Sequence, residues 1–94
     1  MLSDIPKKLE KVSKENIDKE ILRAGIIAEL DAVNLYEQMA AMTDNAGIKK
    51  ILLDIAKEEK THVGEFQALL LQNDAQQVKE LEAGKKEVEK ELAE

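Results

Sequence analysis

The chain has 94 residues and a formal net charge of −6, with one Pro, four Gly and no Cys. This length predicts a single small domain, whose own hydrophobic core would be only marginally stabilising. The lack of Cys excludes disulfides, zinc fingers and iron–sulfur clusters. The negative charge argues against general binding to nucleic acid or to anionic membranes. Because no apolar run resembles a secretory leader or a membrane span, we expect a soluble, intracellular protein.

The residue types favour helix. Hydrophobic residues make up 44% of the chain and charged residues 36%, a composition typical of largely helical proteins. Tyr36 and Phe66 are the only aromatic residues. A monomer would therefore have few large side chains with which to fill a core, and we expect the chain to associate with itself.

An all-α chain is predicted, with three helices. The predicted segments, in chain order, are a polar N-terminal segment, 1–15; a first helix, 16–42; a second helix, 46–71; and a C-terminal helix, 75–93. Asn16 is expected to cap the first helix. The short connection before the second helix has turn chemistry, and either Thr43 or Asp44 could cap that helix.

The two long helices predict an antiparallel hairpin. Each would be about 39 Å long at about 1.5 Å per residue. A hairpin is half of a four-helix bundle and cannot bury its own apolar faces. We therefore predict that two copies dimerise into a four-helix bundle, with the charged C-terminal helix as a further contact between copies.

Each long helix has a carboxylate in the middle of its apolar stripe. The stripes follow from about 100° of rotation per residue. They are Leu22, Gly25, Glu29, Tyr36 and Ala40 in the first helix, and Ile48, Leu52, Ile55, Glu59, Val63, Phe66 and Leu70 in the second. An isolated carboxylate in an apolar interior costs several kcal/mol unless it is paired, protonated or bound to a cation. Glu29 and Glu59 are therefore candidate cation ligands.

His62 adds a nitrogen donor to this pair. Its i, i+3 spacing from Glu59 places an oxygen donor and a nitrogen donor on adjacent turns of one face. Fe(II) accepts that mixture, whereas Ca²⁺ and Mg²⁺ prefer oxygen alone. In bundles that hold two metal ions, two helices give one Glu each and two give Glu-x-x-His. One chain supplies Glu29, Glu59 and His62, so two copies would supply a full set for two iron ions.

Each candidate also has a plainer interpretation. His62 alone would more often be a structural histidine at the edge of a bundle. Tyr36 fills the core or donates a hydrogen bond to a metal-bound carboxylate. Asp31 is interpreted as a solvated surface charge, with a role in iron transit as the alternative. The whole chain could be a structural helical adaptor with protonated or Lys-paired acids, or a di-iron peroxidase that uses the same ligands.

The pattern resembles that of the ferritin-like superfamily. Glu29 is followed seven residues later by Tyr36, and then by Glu59-x-x-His62, all within residues 16–71. Without a second pair of helices, the chain resembles encapsulated ferritin, the cargo of encapsulin nanocompartments. The resemblance implies a ferroxidase whose two irons bind Glu29, Glu59 and His62 at a dimer interface, with Tyr36 nearby. It also implies a ring-shaped decamer inside an encapsulin shell in the cytoplasm.

The chain departs from the family pattern at two places. Family members often have further acidic residues and a Trp along the first helix, which form a site for metal uptake. The matching stretch here offers Ala28, Asp31 and Leu35, so an uptake site would depend on Asp31. No shell-targeting extension follows Glu94, and we expect either a shortened chain or a domain joined to a shell protein.

Overall fold

A computed structural model describes residues 13–14 and 16–93. The described residues form three helices: α1, Ile17–Met42; α2, Ala46–Asn73; and α3, Ala75–Leu92. The predicted all-α class is confirmed, and the described part of the chain contains no strand. None of these helices combines the length and the apolar character that a membrane span requires. Apart from 13–14, the predicted N-terminal segment lies outside the described residues.

The start of α1 differs from the prediction. Asn16 is at the N-cap position, but its side chain makes no capping hydrogen bond. Its backbone is near the helical region, with φ −108° and ψ −7°, whereas a capping residue is usually extended. The Asn16 Nδ2 atom instead donates to Ser13 Oγ at 3.2 Å. Asp18 and Glu20 in the first turn supply the negative charge that the helix dipole favours.

The start of α2 also corrects the prediction, because Asn45 caps it rather than Thr43 or Asp44. The extended backbone of Asn45 lets its Oδ1 accept a hydrogen bond from the Ile48 amide at 3.0 Å. Thr43 has a different part in the turn, where its Oγ1 accepts from the Asn45 amide at 3.1 Å. At its other end α2 continues two residues past the predicted limit, to Asn73.

α1 and α2 pack against each other as an antiparallel hairpin with a thin core. The buried apolar residues of the described chain are Leu22, Val33, Ala40, Ala56 and Leu70. Within helices α1 to α3, twelve large apolar side chains are at least 42% exposed. So much exposed apolar surface is unusual for a soluble monomer. It supports the prediction of self-association.

α3 begins at the open end of the hairpin, where a partly buried ion pair attaches it to α1. Asp74 is the single residue between α2 and α3, and it is only 7% exposed. Its Oδ2 lies 2.9 Å from the Arg23 guanidinium of α1. Its Oδ1 accepts a hydrogen bond from the Gln77 amide at 3.0 Å and so caps α3. This one carboxylate therefore joins all three helices.

These contacts stabilise the charged form of Asp74. The hydrogen bond from the Gln77 amide is the main cause that holds the pKa of the Asp74 carboxyl below its ordinary 3.8. Burial opposes this effect, and the nearby charges of Arg23 and Lys19 reinforce it. Because the pKa is lowered on folding, the stabilisation is present above pH 3.8 and is lost as the pH falls through the folded value.

We expect Asp74→Asn to loosen α3 at neutral pH, because an amide can cap the helix but cannot form an ion pair with Arg23. Hydrogen exchange at the α3 amides should be faster in the variant than in the wild type. That difference should vanish in acid below the folded pKa of Asp74. Asp54→Asn, on the exposed side of α2, is the control. Equal exchange in wild type and Asp74→Asn at neutral pH would contradict the assigned role of the ion pair.

Candidate metal site

The structure brings Glu29, Glu59 and His62 together. One donor atom from each side chain lies within 4.8 Å of the others. The His62 Nδ1 atom is 3.4 Å from Glu29 Oε2 and 3.4 Å from Glu59 Oε2. No other group of three His, Cys, Asp or Glu side chains is clustered this closely in the described part of the chain. The three side chains can thus reach a single ion.

Helix geometry explains why these residues meet. Glu29 lies near the middle of α1 and Glu59 near the middle of α2, so the antiparallel packing brings them to the same level. His62 follows Glu59 by three residues, which is close to one helical turn, and therefore lies on the same face of α2. The cluster depends on one residue from α1 and two from α2, and its geometry is sensitive to the distance between the helices.

The cluster is acidic and open on one side. The side chains of Glu29 and Glu59 are 21% and 19% exposed, whereas His62 is 46% exposed. Among the described residues, His62 is the only ion-pair partner of either carboxylate. Two like charges about 4 Å apart repel by about 1 kcal/mol in water and about 4 kcal/mol near a protein surface. A cation between them would replace this repulsion with attraction.

The donor set fits a first-row divalent metal ion. Two carboxylates and an imidazole suit Fe(II) or a similar ion better than Ca²⁺ or Mg²⁺. Three donors are fewer than the roughly four to six that such ions bind. A single hairpin would therefore leave coordination positions open on its exposed side, where a second copy could contribute.

Tyr36 is not part of the cluster within one hairpin. It is half-buried on α1, seven residues from Glu29, which corresponds to about 10 Å along the helix. Its side chain makes no hydrogen bond with the described residues. A role for Tyr36 beside the metal remains a prediction.

Asp31 also lies outside the cluster. It is half-buried and has an interaction partner of its own. Both interpretations of Asp31, as a solvated surface charge and as a residue for iron transit, stay predictions. Its position two residues along α1 faces a different direction from Glu29, since two residues rotate a helix by about 200°.

An ion pair that the sequence did not predict joins the two long helices. The Lys60 Nζ atom of α2 lies 3.1 Å from Glu37 Oε2 of α1. The two side chains are 60% and 46% exposed, and such long, solvated side chains follow no apolar periodicity that would predict their pairing. The contact directs the Lys60 ammonium towards Glu37 and leaves Glu29 and Glu59 without a Lys partner among the described residues.

A helical hairpin with Glu on one helix and Glu-x-x-His on the other is half of a ferritin-like four-helix bundle. The chain belongs to the EncFtn-like family, whose model matches residues 4–84. The resemblance to encapsulated ferritin that the sequence indicated is thereby confirmed.

Known proteins of this kind are similar over most of the chain. A ferritin-like-encapsulin shell fusion protein of Pyrococcus furiosus is 64% identical over 69 residues, which cover 73% of this chain and 20% of that protein. The encapsulin nanocompartment cargo protein EncC of Myxococcus xanthus is 38% identical over 69 residues, covering 70% and 53%. This chain thus spans about a fifth and about half of these two relatives.

A solved structure is similar as well. The crystal structure of the encapsulated ferritin domain from Pyrococcus furiosus matches with a TM-score of 0.76 and 52% sequence identity. The match covers 96% of this chain and 86% of that chain. The similarity therefore extends over all three helices rather than over the hairpin alone.

We expect Glu59→Gln to raise the free energy of unfolding of the metal-free protein by about 1 to 4 kcal/mol, because it removes one of two repelling charges. The same change should abolish any rise in melting temperature on adding a divalent metal. Glu58→Gln is the matched control, since Glu58 is the exposed neighbour. Thermal melts with and without metal would measure both effects. A metal-free Glu59→Gln protein that is clearly less stable than wild type would show that this carboxylate is already neutralised by another group.

Proposed function

We propose that two copies of this chain form a ferroxidase centre, at which Fe(II) is oxidised to Fe(III). The observation that carries the proposal is the cluster of Glu29, Glu59 and His62. It places two carboxylates and an imidazole around one point, and no Lys or Arg among the described residues neutralises them.

Charge balance supports a pair of irons between a pair of chains. Each hairpin contributes two carboxylates, so two hairpins contribute four negative charges. Two Fe(II) ions carry four positive charges, and His62 can ligate as a neutral imidazole. A site with no net charge is the arrangement that an apolar interface between two hairpins tolerates best.

Each side chain has a separate part in this proposal. Glu29 and Glu59 bind and orient the Fe(II) substrate, and one of them bridges the two ions. His62 supplies a nitrogen ligand to each. Tyr36 would donate a hydrogen bond to a ligating carboxylate in the assembled dimer, and Asp31 is a candidate for iron uptake. Each Fe(II) gives up one electron to dioxygen or hydrogen peroxide, and the Fe(III) product leaves the site.

The names of the relatives support a proposal about where in the cell this activity occurs. One is named as a fusion of a ferritin-like part with an encapsulin shell and the other as an encapsulin cargo protein. A ring of hairpins, such as a decamer, has no storage cavity of its own, and a surrounding compartment would supply one. We therefore propose that the chain acts inside an encapsulin shell in the cytoplasm, where the iron is stored.

The rival function is that of a structural adaptor. The 3.4 Å contacts of His62 with Glu29 and Glu59 would then hold the hairpin together without metal. Metal analysis of protein purified without chelators separates the two functions. Stoichiometric iron, or another first-row metal that iron displaces, supports the ferroxidase, whereas metal-free protein that also fails to bind added Fe(II) supports the adaptor.

We expect Glu59→Ala to slow iron oxidation by at least about 100-fold, because even residues that only hydrogen-bond to a metal ligand contribute about 10- to 100-fold. Anaerobic protein would be mixed with Fe(II), exposed to air or hydrogen peroxide, and followed by diferric absorbance. The two oxidants distinguish an oxygen-using ferroxidase from a peroxidase. Glu58→Ala should retain the wild-type rate. Equal rates in wild type and Glu59→Ala would defeat the proposal.

Metal should also strengthen the dimer, because ligands from two chains share the ions. We expect added Fe(II), under anaerobic conditions, to shift the protein towards dimers or larger even-numbered assemblies in light scattering. His62→Ala should reduce this shift. An oligomer distribution that is the same with and without Fe(II) would count against a shared site.

A further inference from the structure

The Phe66 ring lies against α1 at Gly25, one layer away from the metal cluster. Gly25 precedes Glu29 by four residues in α1. Phe66 follows His62 by four residues in α2. Because the helices are antiparallel, both steps run in the same direction in space. The Gly25–Phe66 contact is therefore the next layer of the hairpin, about 6 Å from the layer of Glu29 and His62.

The ring occupies the space that a side chain at Gly25 would need. A Cβ atom added at Gly25 would lie 3.2 Å from three ring atoms of Phe66, Cδ1, Cδ2 and Cε1. Similar distances to three atoms of one ring mean that the Cβ would point at the ring face. Carbon atoms pack best at about 3.5–4.0 Å, so the ring or the helix would have to shift by a few tenths of an ångström.

Backbone conformation does not explain a glycine at this position. No Gly among the described residues has a positive φ, and Gly25 lies within α1. Gly is among the least favourable residues in a helix interior. The feature specific to Gly25 is the close approach of Phe66, since a Cβ at Gly64 or Gly84 would meet no atom within 4 Å.

This contact bears on the metal ligands because they come from both helices. Glu29 is on α1, whereas Glu59 and His62 are on α2, so the distance between the helices decides whether the three donors fit one ion. Metal–ligand distances tolerate changes of only about 0.2 Å, and a close-packed contact transmits small shifts. We infer that Gly25 and Phe66 form a positioning pair that fixes the helix spacing for metal binding. This inference rests on the proposed function.

The test measures the binding of Co(II), a redox-stable probe, to the wild type and to four variants. We expect Gly25→Ala to raise the Kd for Co(II) about tenfold, as for other residues that orient ligands, and to shift the visible absorption bands of the bound ion. Gly64→Ala makes the same chemical change and should bind as wild type. The double variant Gly25→Ala with Phe66→Leu, in which the ring no longer meets the new Cβ, should recover most of the affinity.

Circular dichroism of each metal-free variant checks that the helices persist. If Gly25→Ala fails to fold, Phe66→Leu alone carries the test. Loss of the ring should weaken Co(II) binding by a similar factor, and unchanged affinity would overturn the inference.

The outcomes distinguish this inference from the function on which it rests. The positioning pair alone would be overturned if the wild type binds Co(II) and Gly25→Ala binds it equally well. It would also be overturned if the double variant does not recover the affinity for Co(II). Equal loss in Gly25→Ala and Gly64→Ala would also overturn it, because the effect would then belong to helix propensity. A wild-type protein that binds neither Co(II) nor Fe(II) would overturn the proposed function and the inference together.

Discussion

The repulsion between two carboxylates at the centre of the hairpin is the constraint on which the rest of the structure depends. Glu29 and Glu59 are both about four-fifths shielded from water and converge on His62. The apolar surface around them is itself incompletely covered. The carboxylates require neutralisation and the apolar faces require burial. Association with a second hairpin around bound cations would bury the apolar faces and balance the charge at once. We propose that this coupling stabilises a hairpin whose own core is thin.

The third helix contributes no residue to this centre. It is attached at the open end of the hairpin, where Asp74 pairs with Arg23 and caps α3, and an apolar groove lined by residues such as Ile27 and Leu81 remains beside the joint. Neither Arg23 nor Asp74 belongs to the cluster of Glu29, Glu59 and His62. We propose that α3 can therefore contact other copies while the hairpin keeps the geometry of the candidate site.

The sequence predicted the features that depend on local spacing. Helical periodicity and the Glu-x-x-His motif pointed to three helices and to Glu29, Glu59 and His62, because these signals need no knowledge of how the helices pair. The contacts that sequence analysis missed depend on turn geometry or on the register between helices. The Asn45 cap follows from an extended backbone in the turn, and the Arg23–Asp74 pair joins residues 51 positions apart. The contact of the Phe66 ring with Gly25 likewise depends on the antiparallel register of α1 and α2.

Native mass spectrometry of protein loaded anaerobically with Fe(II) tests the central claim most directly, because it counts chains and ions in the same particle. The account predicts that iron is found only in species with an even number of chains, with one iron per chain, and that Glu29→Gln removes it. Iron retained by single chains, or dimers that carry no iron at saturating Fe(II), would contradict a centre shared between two hairpins.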